Sequence, residues 1–259
     1  MKYSKSNLLP PVSSAILAIF YAFPFLLRLN NWGVRDWDVF LAVLGAPVGS
    51  LVHYGQFPFW NPYMAGGNIL FHHPEVGILS PFFLLHLIFG IVVGLKLQVL
   101  VCYFVGFWGT QKLADKLGIS PIAALMTAVA YFGSVHFALH FAEGHIPFTH
   151  FCFLPWFLYF VLVTRQNRRS VVLAAVALAL MILGNGAAVP LLYTITFSVG
   201  FFTLLAFTER KPDRLISLAQ AIGLGLALSA VKFLPMVVYL LQNEWPGNPD
   251  ESIPLQALG

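Results

Sequence analysis

Charge is what this sequence has least of. Asp, Glu, Lys and Arg make up 9% of its residues, against 59% hydrophobic residues and a mean hydropathy of +0.81. A soluble domain carries about 25% charged residues, so the composition excludes an ordinary soluble domain and indicates an integral membrane protein. Cysteine is also scarce: Cys102 and Cys152 both sit in apolar runs, too few for a disulfide framework, and read as small core residues. A nucleotide-binding glycine loop, a Ser/His/Asp arrangement and a CxxC pair are missing. The net charge of +4 comes from short basic clusters between apolar runs. It is a topology signal and excludes nucleic acid as an expected partner.

Long apolar runs, by contrast, recur along the chain. A helix needs about 20 apolar residues to cross the hydrocarbon core, and suitable segments fall at 9–29, 93–114, 121–141, 148–164, 170–185, 187–207 and 214–241. The first exceeds the roughly 7–15 residues of a signal-peptide core and no small-x-small site follows it, so it reads as a retained helix. Gly184-Asn185-Gly186 reads as a tight turn between two helices. Segment 79–91 is too short to span and opens with Ser80-Pro81, a helix start; it reads as a re-entrant or interfacial piece. The expected fold is therefore all-α: one transmembrane domain over 1–259, about seven spans, a large first loop at 30–78 and a tail at 241–259. No internal repeat of the secondary-transporter kind is visible.

Orientation follows from the basic residues. With the N-terminus inside, the cytoplasmic side holds Lys2, Lys5, Lys112, Lys116, Arg165, Arg168, Arg169, Arg210, Lys211 and Arg214, ten of the fourteen. The other side holds Asp36, Asp38, Glu75, Glu143, Glu244, Asp250 and Glu251. The positive-inside rule selects this arrangement and puts loop 30–78 outside the cytoplasm.

That loop concentrates the polar chemistry. Trp37, Phe40, Leu41, Leu44, Val48, Leu51 and Val52 recur at helical spacing, which predicts one or two short interfacial helices bent or broken at Pro47. Asp36 and Asp38 stand at the predicted helix start. On an extended chain both carboxylates point the same way; on a helix they diverge. They read either as a general base for an acceptor hydroxyl or amine or as a helix cap plus a solvated charge. The string Gly55-Gln56-Phe57-Pro58-Phe59-Trp60-Asn61-Pro62-Tyr63 reads equally as a wall of a sugar or lipid site and as an interfacial anchor. His136, His140 and Glu143 share one helical face. They are candidate ligands should a divalent metal take part; residues lining an outward polar cavity is the blander reading. Lys232 lies roughly 13 Å deep in the last span, at about 1.5 Å per residue. An ionisable residue at that depth is a functional hypothesis by default, with a lipid-linked phosphate as an attractive partner and snorkelling or a buried acid as alternatives. Arg35 and Lys96 near the outer surface are further phosphate candidates.

Four strings carry a resemblance: Arg35-Asp36-Trp37-Asp38; Phe57-Pro58-Phe59-Trp60-Asn61-Pro62-Tyr63; His73-Pro74 with Leu79-Ser80-Pro81; and Gly144-His145 with Leu154-Pro155-Trp156. With the first helix and large outer loop, they resemble the N-terminal module of GT-C membrane glycosyltransferases, in particular YfhO-like, polyisoprenyl-phosphate-sugar-dependent members. The resemblance implies transfer of a sugar from a polyprenyl-phosphate carrier to an acceptor at the extracytoplasmic face of a bacterial or archaeal plasma membrane. Asp36 is then the first candidate base and Asp38 the second. Arg35, Trp60, Asn61, His73, Glu75, Lys96, His145 and Lys232 become candidate substrate-binding residues. Family members are usually longer, so a fragment or a reduced member is expected. The alternatives are a non-enzymatic binder or transporter of lipid-linked sugar and a membrane assembly subunit.

Overall fold

The computed structural model describes residues 9–31, 33, 35–63, 67–164, 168–210 and 212–242. Lys2, Lys5, Arg165, Lys211, Glu244, Asp250, Glu251 and the expected tail beyond residue 242 lie outside the described residues. Eleven α-helices make up nearly all of the described fold, with a two-residue antiparallel hairpin pairing Trp60 with Ile69 and Asn61 with Asn68. Helix dominates because a bilayer offers no water to backbone N–H and C=O groups, so each spanning segment must satisfy its own.

The central element is α4, Ile91–Lys116, of 26 residues. It runs antiparallel to α1, Leu9–Leu26: Gln111 bonds Ser13 and Ser14 at one end, and Tyr21 packs on Tyr103 in the middle. At the other end Lys96 reaches carbonyls of the turn that follows α1. Gly106 and Gly109 of α4 let the Phe132 and Trp156 rings approach its backbone, the close contact that small residues permit in membrane helix packing. Phe132 ends α5, Pro121–Phe132, which continues as α6, Val135–Glu143. A 3-10 helix, Ile146–Phe153, and α7, Leu154–Val163, form the next span; α8, Arg169–Leu183, and α9, Val189–Glu209, follow. Prolines at first-turn positions start α5, α7 and α9, where a missing N–H forfeits no helical bond.

Among the described residues, six helical segments are long and apolar enough to cross a membrane, and a bent pair makes up to seven. The expected all-α polytopic fold is therefore the one observed, but the set of spans differs in three places. First, residues 37–54 form one 18-residue helix, α2, which continues through buried Pro47 and belongs to the candidate spans by length and composition. Pro47 neither breaks it nor divides it into short interfacial helices. A proline removes one backbone donor, and the packed face formed by Trp37, Phe40, Leu41, Leu44 and Ala46 holds α2 in place. Second, segment 170–185 becomes α8, only 15 residues long and below spanning length. Third, segment 214–241 is not one rod: α10, Asp213–Leu228, and α11, Ala230–Gln242, meet at 86°. The bend falls at Ser229, whose hydroxyl donates to the Gly225 carbonyl at 2.8 Å. Hydroxyl back-bonding of this kind competes with the helical ladder and bends helices.

The short apolar segment at 79–91 yields α3, Phe83–Phe89, which turns at Gly90 and folds back so that His86 lies against Gly94 of α4. The Gly184-Asn185-Gly186 turn separates α8 from α9 as expected. Lys112 and Lys116 lie beyond Gln111 at the end of the bundle where α1 starts, and Arg168, Arg169, Arg210 and Arg214 lie at the turns between α7 and α8 and between α9 and α10. The loops bearing Asp36, Glu75, His145 and Asn185 meet at the other end, the loop face.

Candidate functional site

The loop face is organised around the end of α6. Gly144 caps this helix at φ 92° and sends its N–H back to the His140 and Phe141 carbonyls, the left-handed cap that glycine favours. The chain entering α2 is strapped across this cap. Asp36 N–H donates to the Glu143 carbonyl at 3.0 Å. The buried Trp37 indole N–H is shared between the Phe141 and Ala142 carbonyls at 3.1 and 3.2 Å. Gly144 allows this approach, since a Cβ there would lie 2.4 Å from the Trp37 nitrogen.

The strap brings Asp36 and His145 together. Asp36 Oδ2 lies 2.8 Å from His145 Nε2, and His145 Nδ1 lies 2.6 Å from His140 Nδ1, so one proton must sit between those two nitrogens. His140 stacks on Phe148 with ring centroids 3.7 Å apart, and His136 meets its edge at 4.5 Å. Beside the strap, Arg35 Nη1 reaches Glu143 Oε1 at 3.5 Å while its side chain stays 71% exposed. Asp36 occupies the helix-cap position without a capping bond; its carboxylate is engaged by His145 instead. Asp38 lies two residues further on, exposed, and its Oδ1 accepts from the neighbouring Val39 N–H at 2.8 Å. The helix therefore separates the two carboxylates.

Glu75 completes the group from the loop before α3. It is partly buried, and burial pushes its carboxyl above the usual carboxylate range; nearby His145 opposes that shift and nearby Asp36 adds to it. Its own N–H donates to His73 Nδ1 at 3.2 Å. Burial holds the His73 imidazole down to about 4, with the Lys232 charge acting in the same direction. Two expected phosphate ligands have other partners. Lys96 donates to the carbonyls of Arg28, Leu29 and Asn31, in the turn that follows α1. Lys232, 1% exposed, donates to the Val76 and Gly184 carbonyls at 2.7 and 2.6 Å. Lys232 neither snorkels nor meets a buried acid. Backbone carbonyls supply the acceptors a buried ammonium requires.

Trp60 and Asn61 hold the hairpin. The exposed Trp60 ring covers Gly67, and buried Asn61 accepts the Tyr63 N–H at 2.9 Å. The candidate metal face does not assemble: Glu143 turns to Arg35 and His140 to His145. No group of three His, Cys, Asp or Glu among the described residues could hold a metal ion.

Two features went unread in the sequence. One is a chain of buried polar groups, Gln98–Thr149–His150–Asn185, linked at 2.9, 3.3 and 3.3 Å and ending on Glu75, whose carbonyl accepts the Asn185 amide at 3.0 Å. Its sequence signals were polar residues set inside apolar runs, Gln98, His150 and Asn185. The other is a groove of about 720 Å³ between α5, α6, α7 and α9, lined by Thr127, Tyr131, Phe151, Leu158, Tyr193 and Phe197 among others. Its lining includes His136 and His140, so it ends beside the Asp36–His145 pair.

These features define a polytopic α-helical membrane protein with an acid–histidine cluster on its loop face. The family model for the 6-pyruvoyl-tetrahydropterin synthase related domain, described as a membrane protein, matches residues 80–246. That is more than half of the 259-residue chain, and the chain belongs to this family. The matched region includes His145, Asn185 and Lys232, and begins after Asp36 and Glu75. No curated protein and no solved structure matches the chain.

Proposed function

We propose that this protein is a GT-C-type membrane glycosyltransferase. It takes a sugar from a polyprenyl-phosphate carrier and gives it to an acceptor at the extracytoplasmic side of a bacterial or archaeal plasma membrane, with its own N-terminus in the cytoplasm. The observation that carries this reading is the Asp36–His145 contact at 2.8 Å, placed beside Glu75 and at the histidine-lined end of an apolar groove. An apolar groove suits a polyprenyl chain, and its polar end suits the head group that the chain delivers. In the reaction the acceptor oxygen forms a bond to the anomeric carbon, the bond from that carbon to the phosphate oxygen breaks, and its electron pair leaves with the phosphate. Asp36 receives the acceptor proton and His145 shares it, an arrangement suited to general-base catalysis. Arg35 is the cation this reading assigns to the charge developing on phosphate.

The experiment is sugar transfer by purified protein in lipid, with Asp36→Asn and Asp38→Asn made separately. Asp36→Asn should lose about 10²-fold or more in turnover, and Asp38→Asn should stay near the parent because Asp38 faces solvent. Equal activity of Asp36→Asn and the parent would sink the assignment. A second reading, binding or translocation of the same lipid-linked sugar without product, is favoured by the 86° break between α10 and α11, since broken helices build many transporter sites. Retained lipid-linked sugar without any glycosylated product would select it.

A further inference from the structure

The loop that carries Glu75 is held by groups that come from far along the chain. Lys232 from α11 donates to Val76 O and Gly184 O at once, at 2.7 and 2.6 Å. The Asn185 amide donates to the Glu75 carbonyl, and the Asn185 backbone N–H is received by His150 Nε2. Gly77 lies so close to the turn that a Cβ would come within 2.5 Å of Asn185 Oδ1 and 3.1 Å of the Gly184 backbone. The Lys232 side chain is 1% exposed. An ammonium buried so completely in a membrane protein needs its acceptors, and two of them here come from segments more than a hundred residues apart. Lys232 follows the bend at Ser229 by three residues, so the 86° turn is what aims its side chain at both carbonyls.

We propose that Lys232 is a positioning residue: it latches the Glu75 loop to the Gly184–Asn185 turn and so sets where Glu75 presents its carboxylate to Asp36 and His145. This rests on the functional reading above for its consequence in catalysis, but the latch itself does not. It gives the lysine in the last span a task at the site without contact to substrate, and it explains why a polar Gly-Asn-Gly turn is set between two apolar helices.

Hydrogen exchange and sugar transfer, measured on the full chain in lipid, test the two parts separately. In Lys232→Met, which keeps the stem but loses the donors, exchange at Glu75, Val76 and Ser80 should rise together with that at Asn185 and Gly186. The expected rise is about 10- to 100-fold, the size of losing charge-assisted hydrogen bonds, while α1 and α4 stay unchanged. Lys232→Gln, which can still donate through its amide, should fall between; it also carries the test if the methionine variant does not fold. For transfer, Lys232→Met should lower turnover as Glu75→Gln does, and the double variant should be no worse than Glu75→Gln alone, because both changes remove one group's contribution. Unchanged exchange in the Glu75 loop, a rise confined to the Gly184 turn, or fully additive losses would each overturn the proposal. If the parent protein makes no product from any lipid-linked sugar, the proposed function fails while the exchange result still decides the latch.

Discussion

Replacing Gly144 by alanine should unseat the strap that carries Asp36 without unfolding the bundle. Two costs add. At φ 92° an L-residue pays for a left-handed conformation, about 1–2 kcal/mol. The new Cβ would also lie 2.4 Å from the Trp37 nitrogen and 2.8 Å from the Asp36 carbonyl carbon. Those neighbours are backbone and cannot swing aside as a side chain can, so the strap must lift. Lifting it weakens the Asp36 N–H bond to Glu143 and the Trp37 indole bonds to Phe141 and Ala142, each worth about 0.5–1.5 kcal/mol. A total near 3 kcal/mol corresponds to about 100-fold in the docking equilibrium, at roughly 1.4 kcal/mol per decade. The assay is hydrogen exchange at residues 36–41, with residues 95–110 as the internal reference. Gly118→Ala supplies the control: Gly118 also has positive φ, at 80°, but a Cβ there meets open space, so only the conformational cost applies. If Gly144→Ala and Gly118→Ala perturb their surroundings equally, or if exchange at 36–41 does not change, the reasoning fails.

Two further outcomes are expected. Lys96→Met removes the donor that satisfies the Arg28, Leu29 and Asn31 carbonyls and should cost about 2–3 kcal/mol; a thiol-reactive dye reporting on buried Cys102 and Cys152 during heating would read this as an earlier transition. His73 has a folded-state value of about 4, below its ordinary 6.5, so the folded protein keeps it neutral where the unfolded chain would protonate it. Its contribution is whole above 6.5 and is lost as pH falls towards 4. Between pH 7 and 5 the parent should lose roughly 2 kcal/mol more stability than His73→Gln; equal losses in the two would contradict the assignment.

Much of the fold was legible along the chain because membrane burial writes itself in local composition. Runs such as 9–29 and 93–114 must be apolar throughout, and prolines at 121, 155 and 190 mark first turns whatever surrounds them. The Gly184–Gly186 turn was legible for the same local reason. The full length of α2 was not legible because a proline inside a helix is a local warning that packing overrides: its buried face runs up to Pro47, and half-buried Val48 and Leu51 continue the packing beyond it. The break at Ser229 was invisible because Gly, Ser and Ala are ordinary in membrane helices, and nothing in residues 214–241 says that two carbonyls elsewhere await Lys232.

For the candidate site the division is sharper. Composition and charge placement alone determined that this is a helical membrane protein and that Asp36, Glu75 and His145 lie in loops between apolar runs. Those are properties of single segments, fixed by the cost of placing charge or bare backbone in hydrocarbon. Which of these residues meet was decided only in three dimensions. Asp36 touches His145 because Gly144 lets the strap cross a helix end. Asp38 turns away because α2 begins between the two carboxylates. Lys96 and Lys232 serve carbonyls because turns and loops far from them in sequence present those carbonyls there. Hydrogen bonds act over about 3 Å and a bend redirects everything beyond it, so such pairings depend on the relative placement of whole helices, which no single segment encodes.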